Sequence, residues 1–205
     1  MKIEVLPLGQ LQTNCYLIHD QQEGLIIDPS GDAGIIIDTL NKLDVQPKAI
    51  LLTHAHFDHI GALEEVRNNF NIPVYVHEAE KEWLSNPSLN RSDKFLGYEV
   101  VASDPDYLLK EGKHTIGGFT IEVRESPGHS PGGLLFIFHE QEWIIGGDSL
   151  FYESIGRTDL PGGSLEQLVD SIHQKFYTLP DTYTVFPGHG PKTSIAHEKK
   201  HNPFT

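Results

Sequence analysis

Sulfur is nearly missing from this 205-residue chain, in which Cys15 is the single cysteine and Met1 the single methionine. A lone thiol excludes an internal disulfide and fits a reducing compartment. Basic residues are scarce too, 15 against 29 acidic ones, for a formal net charge of -14. Such a field repels nucleic acid and anionic membranes, so neither is expected as a partner. No apolar run approaches the ~18 residues of a membrane-spanning helix. Glu4, Pro7 and Gly9 interrupt the stretch where a signal peptide would carry its apolar core, so a cytoplasmic location is expected. What the chain has in abundance is histidine, with 12 residues. Imidazole is the commonest transition-metal ligand, so the spacing of these histidines becomes the question.

At roughly one domain per 150 residues, the length calls for one domain or a very tight two, and residues 1–205 are read as a single domain. Short β-like runs open the chain at Lys2–Leu6, Cys15–Asp20 and Gly24–Asp28, and Ala33, Ile36, Leu40 and Leu43 then recur at helical spacing. The wholly apolar run 49–52 reads as a buried strand. Leu63, Val66 and Phe70 suggest a helix, 73–77 a strand and 78–84 a short helix, while 86–106 reads as a long surface loop. Strands follow near 107–109 and 114–116, and Gly117-Gly118 turns the chain into the alternating strand Phe119, Ile121, Val123. Further strands are expected at 134–138, 143–145 and 184–186. Leu165, Leu168, Val169, Ile172 and Phe176 form one helical face, preceded by Ser164 and Gln167 as a capping box. Two β-rich halves, each with amphipathic helices, imply sheets covered by helices.

The strongest segment is Thr53-His54-Ala55-His56-Phe57-Asp58-His59-Ile60-Gly61, directly after the apolar strand. In extended chain, residues i and i+2 point the same way, so His54 and His56 can converge on one cation. Asp58 and His59, where the chain turns, can face a neighbouring point. Three more donors end β-like runs beside glycines: His129 in Pro127-Gly128-His129, Asp148 in Gly146-Gly147-Asp148 and His189 in Gly188-His189-Gly190. Five histidines and two aspartates suit two metal ions better than one closed structural zinc, which usually includes cysteine.

The Thr53–Gly61 segment resembles the HxHxDH signature of the metallo-β-lactamase superfamily, and the later His, Asp and His come in the family's order. The resemblance runs from Leu17-Ile18 and Ile27-Asp28 to Gly188-His189-Gly190. It implies an α/β four-layer αββα sandwich with the metals at one edge of the sheets. It further implies that His54, His56 and His129 hold one divalent ion, that Asp58, His59 and His189 hold a second, and that Asp148 bridges. Zinc comes first, with iron or manganese accepted by the same donors. Asp28 matches a family aspartate that supports the metal loop without being a ligand, and it can equally be a turn-former before Pro29.

Within the superfamily the chain is most similar to glyoxalase II and its short, single-domain bacterial relatives, on Gly156-Arg157-Thr158-Asp159 and on the ending Gly188-His189-Gly190-Pro191 through Asn202-Pro203-Phe204. The implied reaction is hydrolysis of a small-molecule thioester such as S-D-lactoylglutathione, by a hydroxide held between two metals, with Asp58 and Asp148 in catalytic roles. Only 16 residues follow His189, so the helical domain with which full-length glyoxalase II grips glutathione is not expected. Arg157 aligns with a glutathione-contacting lysine, while the nearby tyrosine position is Asp159.

Arg157, Phe151 and Tyr152 are the candidate substrate-binding residues, each with a plainer alternative. Arg157 can equally pair with Asp159, and the two aromatics can serve packing. Cys15 reads as a small buried hydrophobe, and Lys199 and Lys200 as a solvated tail. The alternatives to a thioesterase are a persulfide dioxygenase with a single iron and a non-catalytic metal-binding module. Oxygen uptake on a persulfide separates the first, and inertness of the metal-loaded protein towards every thioester and ester the second. The sequence is silent on oligomeric state.

Overall fold

The computed structural model describes residues 1–205 and divides into two compact units, Met1–Leu109 with Ile116–Phe119, and Lys110–Thr115 with Thr120–Thr205. No helix is long and apolar enough to cross a membrane.

The first unit is built on a six-stranded sheet in sequential order: β1 (Lys2–Leu8), β2 (Thr13–His19), β3 (Glu23–Ile27), β4 (Gln46–Leu51), β5 (Val74–His77) and β6 (Tyr107–Leu109). β1 to β3 form an antiparallel meander, and β3 to β6 run parallel through helical crossovers. Helix α1 (Ala33–Leu43) buries Ala33, Ile36 and Leu40, the face its spacing predicts, and ends at a left-handed Asp44. Helix α2 (Leu63–Phe70) buries Leu63 and Val66. These side chains join Leu17, Ile26, Ile50 and Val74 in one apolar core. Strand β4 is flanked on both edges, so its end is held rigidly where the histidine segment begins. The expected loop 86–106 is corrected in part: it carries two one-turn helices, α3 (Pro87–Asn90) and α4 (Ser92–Phe95). Asn86 caps the first through its side-chain oxygen, and buried Asn90 donates to the carbonyls of Trp83 and Val100. Single turns have no apolar periodicity, so side-chain capping is the only local signal they leave.

The second unit is built on a sheet whose strands run β14-β13-β10-β9-β8-β7. They are β7 (Gly112–Ile116), β8 (Phe119–Glu125), β9 (Leu134–Phe138), β10 (Trp143–Gly147), β13 (Thr184–Pro187) and β14 (Thr193–Ser194). Gly117 and Gly118 join β7 to β8 at φ 55 and 85, as a tight hairpin turn requires. A small hairpin, β11 (Leu150–Phe151) with β12 (Ser154–Ile155), leaves the end of β10. Helix α5 (Leu165–Ser171) is capped by Ser164 Oγ, which accepts from the Gln167 amide at 3.3 Å, and widens into a π-turn over Ile172–Phe176. Leu168, Ile172 and Phe176 bury themselves against Ile144 and Val185. The expected solvated tail is also corrected. Residues 195–201 form helix α6, capped by Ser194 and anchored by buried Ile195 and Glu198, so Lys199 and Lys200 are the outer face of a docked helix.

Candidate metal centre

In the first unit the donors lie in the segment between β4 and α2. The hub is Asp28, at the end of β3, in a left-handed conformation (φ 51) that aspartate tolerates better than most residues. Its Oδ1 accepts the Thr53 amide at 2.8 Å, and its Oδ2 accepts both the Thr53 hydroxyl (2.6 Å) and His59 Nδ1–H (2.9 Å). Because the Thr53 proton goes to Asp28, its oxygen is left to accept from His54 Nδ1 at 3.2 Å. One carboxylate thus holds His54 and His59 in the Nδ1–H tautomer, which leaves the Nε2 lone pairs as the metal-facing donors. The His54 ring centroid lies 4.0 Å from that of His59 and 4.8 Å from that of His56. All three histidines are buried.

Two further residues set this half. Fully buried Glu80 accepts the amide of Ala55, between His54 and His56, at 2.6 Å, and Trp83 packs against the His56 ring at 5.4 Å. Thr13, at the start of β2, donates its hydroxyl to Asp58 Oδ2 at 2.8 Å, and Asp58 Oδ2 stands 3.6 Å from His59 Nε2. Sequence reasoning missed Thr13 and Glu80. Glu80 sits in the polar run Glu78-Ala79-Glu80-Lys81-Glu82, which reads as solvated surface.

In the second unit the three donors stand at strand ends, as expected. Asp148 follows β10, and its Oδ2 lies 3.6 Å from His129 Nε2 and 3.5 Å from His189 Nε2. The carboxylate oxygen is therefore placed evenly between two imidazoles. His129 follows Gly128, where φ is 131 and any Cβ would collide with the backbone of Leu168 in α5. His129 Nδ1–H donates to the carbonyl of Arg157 at 2.8 Å, which again leaves Nε2 as the donor atom. The β11–β12 hairpin is what carries Arg157 back to this position.

The guanidinium of Arg157 makes two parallel bonds to Asp159, at 2.7 and 2.8 Å. That grip holds the Asp159 carboxyl down at about 2. The main chain of Arg157 thus positions His129, while its side chain is engaged with Asp159. Phe151 stands edge-on to His189 at 6.2 Å, and Tyr152 stacks on His197 at 4.8 Å. Cys15 is buried beside Asp28, and burial together with that charge pushes its thiol far above the ordinary range, so it is no nucleophile.

The chain therefore carries a histidine and aspartate donor set suited to a dinuclear centre. The set consists of nitrogen and oxygen donors, and the Nε2 lone pairs of His54, His59 and His129 are oriented by hydrogen bonds on the opposite ring atom. That is the chemistry divalent transition metals require.

The family model of the metallo-β-lactamase superfamily matches residues 8–189. A probable metallo-hydrolase of Bacillus subtilis, YqgX, is 46% identical over all of this chain and 97% of its own length. The hydroxyacylglutathione hydrolase GloC of Haemophilus influenzae is 37% identical over 100% of this chain and 98% of its own. Among solved structures, the BLEG-1 B3 metallo-β-lactamase superposes with a TM-score of 0.96 at 47% identity, covering 99% of both chains. The protein TTHA1623 in a di-iron-bound form superposes at 0.89 with 34% identity, covering 98% of this chain and 100% of its own. The fold expected from the resemblance is borne out, and the chain belongs to the metallo-β-lactamase superfamily as a metal-dependent hydrolase.

Proposed function

We propose that this hydrolase is a glyoxalase II-like thioesterase, acting on a small-molecule thioester of the S-D-lactoylglutathione kind. We further propose that residues 1–205 act as one catalytic domain, a reading supported by a single family model that runs through both units. His54, His56 and His129 would hold one ion and Asp58, His59 and His189 the other, with Asp148 shared. Zinc is the first expectation, and the di-iron form of TTHA1623 supports iron as the alternative.

The observation that carries the reading is the place of Asp148 Oδ2, 3.6 Å from His129 Nε2 and 3.5 Å from His189 Nε2. A carboxylate oxygen so placed would let Asp148 help hold an ion together with each of the two histidines. Bound divalent ions supply Lewis acidity towards an acyl carbonyl and lower the pKa of water. The chain's part is to aim its imidazoles: Asp28 and Thr53 do this for His54 and His59, and the Arg157 carbonyl does it for His129. Thr13 fixes the rotamer of Asp58 by donating to Oδ2. Phe151 shields one side of His189 from water. A thiolate departs without being protonated, so this reaction demands no strong general acid of the protein. The likeness to GloC supports the thioester specifically.

The likeness to BLEG-1 supports a second reading, β-lactam hydrolysis on the same donor set. The test is a panel of S-D-lactoylglutathione, simple thioesters, a chromogenic β-lactam and glutathione persulfide with oxygen monitoring, run on zinc-, iron- and manganese-loaded protein. Thioester turnover at least tenfold above β-lactam turnover is expected; the reverse order, or oxygen uptake alone, overturns the proposal. Asp148→Ala should release metal as well as activity, and a variant that keeps full metal content refutes the bridge.

A further inference from the structure

Beside Asp58 the first unit opens a cleft of about 410 Å³, within the range of small-molecule sites. Its walls come from three places: the β1–β2 turn (Leu8, Gly9, Gln10, Leu11), the Ser30–Asp32 turn, and the segment Leu96–Val100. The floor is rigid. A Cβ on Gly61 would collide with the Ser30 carbonyl, and one on Gly31 would come within 2.8 Å of Gly9 Cα, so these segments touch main chain to main chain. Asp32 ties the turn down by accepting the Gly9 amide at 2.9 Å.

The lining is of two kinds. Leu8, Leu11, Phe57 and Tyr98 are apolar, and Leu11 and Tyr98 remain 52% and 57% exposed. The charged groups are both carboxylates, Asp32 and Asp58. A surface-exposed leucine and tyrosine facing a cleft gain by covering an apolar ligand, while an anionic ligand would meet like charge at Asp32, the carboxylate of the two that is not assigned to an ion.

We infer that this cleft takes the acyl part of the substrate, and that among thioesters it selects neutral, apolar acyl groups of several carbons over short ones, lactoyl included, and over carboxylated ones. The inference rests on the thioesterase reading for its reaction but not for its binding. Common thiol carriers bear carboxylates or phosphates, which Asp32 disfavours and which the exposed apolar walls do not solvate, so the acyl side is the occupant. Continuity with Asp58 would place the carbonyl end of that chain at the metal donors. Each methylene removed from water contributes about 0.8 kcal/mol, which is roughly a fourfold gain in affinity.

The experiment uses ketone isosteres of N-acetylcysteamine thioesters, in which CH2 replaces the sulfur, so that binding is read without turnover. Calorimetry on the metal-loaded full chain compares acetyl, butyryl, hexanoyl and succinyl analogues, and hydrolysis of the matching thioesters is followed in parallel. We expect affinity to rise about fourfold per methylene from acetyl to hexanoyl. The succinyl analogue should bind at least tenfold more weakly than the butyryl, and Leu11→Ser with Tyr98→Ser should flatten the series. Equal affinity across the series, succinyl binding as tightly as butyryl, or a slope that survives the double variant would each overturn the inference. A steep binding series with no thioester turned over would leave the cleft standing and remove the thioesterase instead.

Discussion

Gly156→Ala puts the second-unit geometry to its severest trial. The glycine follows the β11–β12 hairpin, and its amide donates to the Ser149 carbonyl at 3.2 Å. A Cβ here would fall far inside the 3.0 Å that real Cβ atoms respect, against the carbonyl oxygen of Asp148, and would stand 3.2 Å from His129 Nδ1. The obstacle is main chain, which cannot swing aside as a side-chain tip can. Relief requires a displacement on the order of 1 Å between the segment holding Asp148 and the one presenting the Arg157 carbonyl to His129. Overpacking of this kind costs about 1–3 kcal/mol, and a backbone obstacle belongs at the upper end. For a chain of this size that lowers the melting temperature by about 6–12 °C. If a similar energy is lost from ligand geometry, metal affinity falls about 100-fold. Thermal unfolding of chelator-treated protein reads the first effect, and competition with a chromophoric chelator reads the second. Gly34→Ala, in the exposed first turn of α1 with no atom within 4 Å of its Cβ, is the control and should stabilise by up to about 1 kcal/mol. A Gly156→Ala protein that melts within about 2 °C of the parent and binds metal unchanged would refute the close approach and the reasoning built on it.

Three other outcomes follow. Asp28→Asn removes an acceptor from either Thr53 or His59 and should weaken metal binding about 10–100-fold at nearly unchanged secondary structure; undiminished affinity in the chelator assay would contradict the tautomer argument. Arg157→Ala removes an exposed pair, with side chains 51% and 68% accessible, so it should leave the melting temperature nearly unchanged. NMR titration of Asp159 should move its midpoint from about 2 towards 3.8. Because that carboxyl is depressed in the folded protein, the pair's small contribution is present above pH 3.8 and lost as pH falls through about 2. KM in the same variant should rise for anionic thioesters alone if the guanidinium also meets substrate, and an equal loss with neutral thioesters would deny it that role. Cys15 should resist a thiol reagent at pH 8 in the native protein and react fully in denaturant, whereas rapid native labelling would show that its burial is not maintained.

The donor residues were legible because metal binding constrains spacing locally. His54 and His56 sit two apart, and each later donor ends an apolar run beside glycine. The sheets were legible through runs such as Leu134–Phe138 and the Gly117-Gly118 turn, where period and backbone requirement coincide. The residues that aim the donors were not legible. Thr13 reaches Asp58 across 45 positions, and Glu80 reaches Ala55 across 25, with nothing at either end to distinguish them from surface residues. Arg157 shows the same limit in another form. Its side chain drew attention as a charge, while its contact with His129 is made by a carbonyl that every residue possesses. Helix α6 was hidden because its outer face, Lys199-Lys200, is what a solvated tail also looks like, and buried Ile195 alone is too short a pattern to read as periodic.

The neighbouring positions 156 and 157 have opposite freedoms. At 156 any side chain collides with the Asp148 main chain, whereas at 157 the contact with His129 is made by a main-chain carbonyl. Divergence among related sequences can therefore rewrite the group displayed at 157, from cation to neutral to acid, without disturbing the donor that the same residue holds in place. A turn organised in this way lets its displayed charge change by single substitutions while the contact that orients His129 stays constant.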